Sequence, residues 1–144
     1  MKTSRFWILL LLLTGCATKS EPAKSTSMKD ANACCRRGED YGESGQLNKA
    51  MAEFNKAIEL NPKYGDAFNN LAKTYGRRGY YKQAILFYDR VIELNPKDAD
   101  TYYNRGKAYD RLDDSRFANQ DLKIAAKLGN IFAQKSLKEK GITW

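Results

Sequence analysis

The chain has 144 residues, with 25 lysine or arginine against 17 aspartate or glutamate residues, a formal net charge of +8, and no histidine. The absence of histidine removes the commonest general base and metal ligand, and no glycine-rich phosphate loop or CxxC pattern stands in for it, so we predict neither an enzyme nor a metal or cofactor site. The excess of positive charge is spread along the chain without the pattern of a nucleic-acid-binding fold, so nucleic acid is not an expected partner.

The first 15 residues have the composition of a signal peptide. Two basic residues, Lys2 and Arg5, precede an apolar run from Phe6 to Leu13. This run is much shorter than the roughly 20 residues that cross a bilayer as a helix. We therefore predict that residues 1–15 are a cleaved signal peptide and take no part in the fold.

The next residues resemble a bacterial lipoprotein signal. Leu13-Thr14-Gly15-Cys16 is similar to the lipobox, which implies diacylglyceryl transfer to the Cys16 thiol, cleavage before Cys16 and acylation of the new amino group. Several acyl chains anchor firmly, at about 0.8 kcal/mol per buried methylene. The alternative is an ordinary secretory signal that contains a cysteine. Aspartate after the cysteine tends to retain such lipoproteins in the inner membrane, so Ala17 favours the outer membrane of a bacterial envelope, facing the periplasm.

A polar tether is predicted to follow the lipid. Residues 17–27 show no apolar period and contain Pro22, which is typical of a flexible segment. Ser27-Met28-Lys29-Asp30 has the spacing of a capping box, which predicts that the first helix begins near Met28. We therefore assign residues 16–30 to the lipidated cysteine and its tether.

The rest of the chain consists of imperfect copies of one unit, which is clearest at residues 65–98. One apolar stripe with three- and four-residue steps lies within residues 66–78, and a second lies within residues 84–94. Gly79 separates them and Asn95-Pro96 ends the second, because glycine accepts positive φ and proline disfavours helical geometry at the residue before it. The unit is therefore predicted to be two antiparallel helices, which must stack on neighbouring pairs to bury both stripes.

The copies stand 34 residues apart. This period links Ala50, Ala84 and Ala118; Phe54, Tyr88 and Leu122; Ala57, Val91 and Ala125; and Tyr41, Tyr75 and Tyr109. A 34-residue period with a small residue, three spacers and then an aromatic resembles the tetratricopeptide repeat (TPR). The resemblance implies an all-α, right-handed solenoid of helical hairpins with a concave inner face, made of three repeats at 31–64, 65–98 and 99–132 and a C-terminal capping helix within 133–144.

The copies depart from the TPR pattern at three places. Cys34 stands where the family usually has tryptophan, Asp113 where the other copies have Gly45 and Gly79, and Asn130 where they have Pro62 and Pro96. The sequence leaves open whether the turn at Asp113 differs from the other two, since aspartate tolerates turn geometry. Gly129 and Asn130 still predict a helix stop.

A seventh helix is predicted from Ile131 to Lys140. Its apolar or small stripe is made of Phe132, Ala133, Ser136 and Leu137, with charged residues elsewhere. A half-polar helix is suited to cover the open apolar end of a solenoid, so we assign it as the capping helix.

The TPR resemblance also implies a binding groove formed mostly by the first helix of each pair. At the family's ligand-contacting positions, repeats two and three carry Asn69, Asn70, Lys73, Arg77, Tyr103, Asn104, Lys107 and Arg111. The asparagine amides can pair with the backbone of a bound peptide, and the basic side chains form a ladder for carboxylates, with Tyr103 as an aromatic contact. The implied partner is a protein or peptide with an acidic segment.

An internal use of these charges is the alternative. Glu39 and Glu43 hold the positions of Lys73 and Arg77 one repeat earlier, so ion pairs between neighbouring helices would neutralise them and recognise nothing. The next step along the chain sets basic residues beside basic residues. The groove is therefore predicted to change from acidic to basic along its length.

One known TPR binding mode is argued against. TPR proteins that grip the C-terminal carboxylate of chaperones use lysine and asparagine in the first repeat, asparagine in the second, and lysine and arginine in the third. Only Asn70 matches this set, because Cys35 and Glu39 replace the first pair and Asp100 and Asn104 replace the last. The resemblance does not extend to that carboxylate clamp.

The adjacent cysteines Cys34 and Cys35 are the remaining unusual feature. A disulfide between them would close a strained ring within a predicted helix. Cys34 is predicted to lie in the core and Cys35 to face the groove. They are either two small residues packed in a helix or a redox- or metal-responsive pair, and the first is favoured because no other cysteine or histidine could complete a zinc site.

The sequence therefore predicts a membrane-anchored, non-enzymatic scaffold that binds a partner in its groove, within an envelope complex such as a pilus, a secretion machine or the cell-wall machinery. A second hypothesis is a structural subunit that self-associates or packs through its convex face, with Tyr80, Tyr81 and Phe87 as the candidate surface. A thiol sensor at Cys34 and Cys35 is a third.

Overall fold

The computed structural model describes residues 22–144, with side chains from Ser27 onward. The helices in chain order are α1 (Pro22–Glu43), α2 (Leu47–Leu60), α3 (Gly65–Arg77), α4 (Tyr81–Leu94), α5 (Ala99–Asp110), α6 (Ser115–Lys127) and α7 (Ile131–Glu139). No strand occurs in this range, so the all-α prediction is confirmed. Within the same range, no helix combines the length and the apolar composition needed to cross a bilayer. The predicted signal peptide at residues 1–15 and the predicted lipid-attachment residue Cys16 lie outside the described residues.

The helices pack as hairpins that stack on one another. α1 pairs with α2, α3 with α4 and α5 with α6, while α2 contacts α3, α4 contacts α5 and α7 packs against α6. Ala50, Ala84 and Ala118 are fully buried, and their single methyl groups let neighbouring helix backbones come close. The three predicted helical hairpins and the seventh helix are all present.

The core of the first hairpin closes around Phe54, which lies in one buried cluster with Cys34 and Leu71. A Cβ atom placed at Gly38 would lie 2.5 Å from Cε1 of Phe54, so the ring packs directly on the backbone of α1. Cys34 is 3% exposed. Its predicted core position is confirmed.

The three hairpin turns share one geometry. Gly45 and Gly79 have φ angles of 77° and 81°, and Asp113 has a φ angle of 60°. In each turn the following residue donates its N–H to a carbonyl of the preceding helix at 2.8 to 3.0 Å. The third turn therefore follows the other two, because aspartate is among the few residues that tolerate the left-handed region.

α1 begins earlier than predicted. The capping box placed its start near Met28, whereas the helix runs from Pro22. Proline fits the first turn of a helix because its missing N–H would have no partner there. The Ser27 hydroxyl donates to the carbonyl oxygen of Leu60 at 2.6 Å instead of capping the helix. The prediction of a tether through residue 30 is therefore wrong from Pro22 onward.

Asn130 takes the place of the earlier prolines and caps α7. Its Oδ1 accepts from the N–H of Ala133 at 2.8 Å, and its Nδ2 donates to Oδ1 of Asp100 at 2.6 Å. α7 therefore begins at Ile131, just before the predicted boundary at residue 133.

α7 covers the end of the stack with a narrower stripe than predicted. Ala133 and Leu137 are fully buried, but Phe132 is 59% exposed. The prediction for Phe132 is wrong because the buried stripe is centred on the other two residues. The Phe132 ring instead lies beside that of Tyr103, with centroids 6.0 Å apart.

An ionic cluster joins α4, α5 and α6. Arg105 donates from Nε and Nη2 to the two carboxylate oxygens of Asp121 at 2.7 and 2.8 Å, and from Nη1 to Oδ1 of Asp89 at 2.6 Å. The side chain of Asp121 is only 4% exposed. The hydrogen bonds to Asp121 above all, and then that to Asp89, raise the pKa of Arg105. Arg105 therefore stays charged at any physiological pH.

The same place is filled differently in the other two repeats. In repeat two Leu71 and Phe87 stand there, within an apolar cluster. In repeat one Arg37 and Glu53 form an ion pair of 2.8 Å that is largely open to solvent. The stack thus accepts an apolar pair, an exposed ion pair or a buried ionic cluster at equivalent positions.

Removing the buried carboxylate should destabilise the stack. In the Asp121→Ala variant Arg105 remains charged with only the half-exposed Asp89 as partner, so we expect the free energy of unfolding to fall by about 3 to 5 kcal/mol. Urea denaturation followed by circular dichroism measures this. The double variant Arg105→Leu/Asp121→Phe, which copies Leu71 and Phe87, should recover most of the loss.

Glu53→Ala is the matched control, because it removes the corresponding carboxylate from the solvent-exposed pair with Arg37. Its unfolding curve should change little. Equal losses in Asp121→Ala and Glu53→Ala would contradict the role given to burial.

Candidate functional site

Two pockets lie in line along the face formed by α1, α3 and α5. The larger, here called the α3–α5 pocket, has a volume of about 450 Å³ and is lined by α3, α4 and α5. The smaller, the α1–α3 pocket, has a volume of about 210 Å³ and lies between α1 and α3. The two pockets together are called the groove.

Five of the eight predicted site residues meet at the α3–α5 pocket. They are Lys73, Arg77, Asn104, Lys107 and Arg111. The first two belong to α3, Asn104 and Lys107 belong to α5, and Arg111 directly follows α5, at steps of three and four residues that place them on one face of each helix. The predicted ladder of basic side chains is therefore gathered around one cavity.

The basic side chains of the α3–α5 pocket are not engaged in ion pairs with the described part of the chain. Among the described residues, no ion pair involves Lys73, Arg77, Lys107 or Arg111. The Nζ atom of Lys107 lies 5.4 Å from the ring centroid of Tyr103, a cation–π contact that leaves the charge available to an anion. The pocket is suited to bind carboxylates.

Small and aromatic residues form the floor of the α3–α5 pocket. Tyr81, Ala84 and Tyr88 come from α4, and Gly76 and Ala108 lie on its walls. A Cβ atom at Gly76 would meet nothing within 4 Å, so this glycine leaves open space in the cavity. Burial raises the pKa of Tyr88 to about 12. Tyr88 is therefore uncharged at neutral pH, and the charged residues that line the pocket are the four basic ones.

The α1–α3 pocket uses its polar groups internally. Nδ2 of Asn70 donates to Oε1 of Glu39 at 2.8 Å, and Nη1 of Arg77 donates to the carbonyl oxygen of Gly42 at 2.7 Å. In the described part of the chain, Glu39 and Glu43 form no ion pair with α3. The ion pairs expected under the alternative hypothesis are therefore absent from this part of the chain. Glu39 instead accepts a hydrogen bond from the amide of Asn70.

Two predicted site residues lie outside both pockets. Oδ1 of Asn69 is buried and has no hydrogen-bond partner within residues 27–144. Tyr103 packs toward α7, partly against the buried cluster that contains Leu137. The structure therefore does not bring these two residues to the cavity.

Cys35 does not face the groove, contrary to the prediction. It is 2% exposed, because Tyr64, Asn70 and the other residues of the α1–α3 contact cover it. Burial raises the pKa of the Cys35 thiol, against a smaller lowering by the hydrogen bond from Asn70. Cys34 and Cys35 are both free thiols.

The predicted convex surface of Tyr80, Tyr81 and Phe87 does not exist as one patch. Tyr81 lines the α3–α5 pocket. The Phe87 ring stacks on that of Tyr75, with centroids 5.3 Å apart, inside the hairpin. Only Tyr80 is substantially exposed, at 46%. This prediction is wrong because α4 turns the side chains of Tyr81 and Phe87 inward, which leaves Tyr80 alone on the surface.

The floor of the α3–α5 pocket was not predicted from the sequence as part of the site. Ala84 and Tyr88 were recognised only as repeat positions, and Tyr81 was assigned to the opposite surface. The available signal was residue size, since Gly76, Ala84 and Ala108 are all small and lie on three adjacent helices. Across residues 27–144, including both pockets, no group of three or more cysteine, aspartate or glutamate side chains is placed to hold a metal ion.

Sequence comparison finds one family and a partial relative. The family model described as "TPR repeat" matches residues 38–79 and 75–113, which together make up more than half of the chain. An uncharacterized protein of Methanocaldococcus jannaschii is 46% identical over 46 residues, which are 32% of this chain and 54% of that protein. The chain therefore spans about half the length of the curated relative that it matches.

Similar solved structures are TPR domains. The first TPR of Spaghetti (RPAP3), bound to the HSP90 peptide SRMEEVD, has a TM-score of 0.74 at 22% identity, over 78% of this chain and 90% of that one. The Arabidopsis OM64 TPR domain has a TM-score of 0.72 at 23% identity, over 79% and 98%. The N-terminal domain of STI-1 from C. elegans has a TM-score of 0.71 at 21% identity, over 83% and 98%. At these identities the likeness extends to the fold.

The two helical cysteines should be unreactive in the folded protein. The thiol of Cys35 has a pKa raised above its ordinary value of 9.0 by burial, so it stays protonated near pH 8, and only the thiolate reacts. In the Cys16→Ser variant, where Cys34 and Cys35 are the only thiols, we expect maleimide labelling to be more than about tenfold slower in the folded protein than in concentrated urea. Rapid labelling of the folded protein would favour the thiol-sensor hypothesis.

Proposed function

Because this chain belongs to the tetratricopeptide repeat family, whose domains mediate protein–protein interactions, we propose that it is a non-enzymatic scaffold that binds a partner through an acidic segment. The α3–α5 pocket is the site of this recognition. The observation that carries the proposal is the set of four basic side chains around one cavity without an ion-pair partner in the described residues.

An acidic ligand is supported by charge and by one structural neighbour. The peptide SRMEEVD bound to the first TPR of Spaghetti contains two glutamates and an aspartate. Of the clamp residues of chaperone-binding TPR proteins this chain has only Asn70, since Cys35 and Glu39 replace the pair in repeat one. We therefore place the carboxylates of the partner in the α3–α5 pocket, between Lys73 and Lys107, one repeat beyond the position of the missing clamp pair.

The location of the scaffold is proposed from the first residues of the chain. Leu13-Thr14-Gly15-Cys16 supports covalent lipid on Cys16, and Ala17 supports the outer membrane, facing the periplasm. A lipid-anchored TPR scaffold in this place fits a role in assembling an envelope complex, of a pilus, a secretion machine or the cell-wall machinery.

Charge reversal in the α3–α5 pocket should remove the partner. We expect a crosslinked pull-down from native membranes with the tagged full-length protein to recover a partner that the Lys107→Glu/Arg111→Glu variant loses by about tenfold or more, because two attractive contacts become repulsive.

Lys123→Glu/Lys127→Glu is the matched control for this experiment. It makes the same charge change at the same four-residue spacing, on exposed positions of α6 outside both pockets. The control should recover the partner as the wild type does. Retention of the partner by the Lys107→Glu/Arg111→Glu variant would place recognition elsewhere.

Lipid attachment has its own test. Cells grown with an alkyne analogue of palmitate should label the wild-type protein, and the label should disappear in the Cys16→Ser variant, because Cys16 supplies both the thiol and the new amino group. Cys34→Ser serves as the control and should keep the label. Equal labelling of wild type and Cys16→Ser would contradict the anchor.

A further inference from the structure

The two pockets are the same site in consecutive repeats. Each residue of the α1–α3 pocket lies 34 positions before its counterpart in the α3–α5 pocket, so Glu39 corresponds to Lys73, and Asn70 to Asn104. Each pocket therefore serves as a reference for the other, and their differences arise from a few side chains.

The α1–α3 pocket contains a carboxylate of its own. Oε1 of Glu39 accepts from Nδ2 of Asn70 at 2.8 Å. Arg77 also spans this pocket, from α3 to the carbonyl oxygen of Gly42. With these bonds made, the cavity is about 210 Å³.

The α3–α5 pocket has the same donor without the acceptor. Lys73 stands at the position of Glu39, and lysine has no acceptor atom. Within residues 27–144, the side chain of Asn104 makes no hydrogen bond, and Arg111 makes none to the carbonyl of Gly76. The cavity here is about 450 Å³, more than twice as large.

We propose that a glutamate side chain of the partner enters the α3–α5 pocket and accepts from Nδ2 of Asn104, in the place that Glu39 takes beside Asn70. This inference rests on the proposed function and specifies its ligand. The Lys73 and Lys107 ammonium groups on either side balance the charge, and a hydrogen bond from an amide to a carboxylate is stronger than one between neutral groups. We choose glutamate because the α1–α3 pocket already holds a glutamate, Glu39, on the equivalent asparagine, Asn70.

Asn104→Ala is the direct test, and Asn70→Ala is its matched control. The probe is a fluorescein-labelled hexaglutamate peptide with an amidated C-terminus, titrated at low salt against the full-length protein in detergent and followed by anisotropy. We expect Asn104→Ala to weaken binding by about tenfold and Asn70→Ala to leave it unchanged. Equal effects of the two substitutions would overturn the proposal. Tighter wild-type binding of a hexaglutamine peptide with a free C-terminal carboxylate than of the amidated hexaglutamate would overturn the choice of a side chain.

A second variant removes the internal carboxylate instead. In the Glu39→Lys/Asn104→Ala background, where the α3–α5 site is already weakened, the α1–α3 pocket should become a site of the same kind, so that adding Asn70→Ala weakens hexaglutamate binding by about tenfold. Glu39 is exposed, so the substitution should leave the fold intact. An Asn70→Ala change that has no effect even in this background would also overturn the proposal.

These results separate the inference from the function on which it rests. If Lys107→Glu/Arg111→Glu binds hexaglutamate as the wild type does, the acidic ligand and the inference both fail. If that variant loses the peptide while Asn104→Ala and Asn70→Ala behave alike, the basic groove stands and only the role of Asn104 is wrong.

Discussion

The close packing of helix backbones at Ala50, Ala84 and Ala118 holds the two helices of each hairpin in one fixed arrangement. One helical hairpin leaves an apolar stripe uncovered, so each pair depends on the next for burial. Because every hairpin keeps the same internal contact, the positions that face each other between two first helices recur 34 residues further along the chain. The groove follows from this repetition, since it consists of one kind of pocket formed twice.

Repetition makes single differences informative. A glutamate or a lysine at the same position decides whether a pocket contains its own carboxylate, as Glu39 and Lys73 show. Inside the hairpins the same freedom appears, where Leu71 with Phe87 serves in repeat two and Arg105 with Asp121 in repeat three. The backbone arrangement stays constant because it depends on the alanines and the turns, and the side chains between them are free to specialise.

The fold could be predicted from the sequence because its signal is periodic, and many residues at a 34-residue step report the same arrangement. The placement of single side chains could not be predicted in the same way. Asn69 and Asn104 look alike as candidates, yet one has its oxygen buried and the other lines the cavity. Cys35 stands at a groove position by pattern, but its neighbours cover it. Whether one of these side chains is exposed depends on the size and the hydrogen bonds of residues on adjacent helices. The 34-residue period carries no information on either.

Local signals were also overridden by tertiary contacts. Ser27 has the sequence context of a helix cap, but its hydroxyl donates to the carbonyl oxygen of Leu60 on α2 instead. Conversely, Asp113 breaks the glycine pattern of the turns without changing their geometry, since the left-handed region is open to aspartate.

The early start of α1 has a consequence for the proposed lipid anchor, because it would limit how far the scaffold stands from a membrane. Since the helix begins at Pro22, a lipid on Cys16 is joined to it by a stretch of chain that reaches at most about 20 Å. A tether through residue 30 would have allowed more than twice this distance. With the proposed anchor in place, the N-terminal end of the stack would be held near the lipid headgroups, and a partner would approach the α3–α5 pocket from the side that the bilayer leaves open.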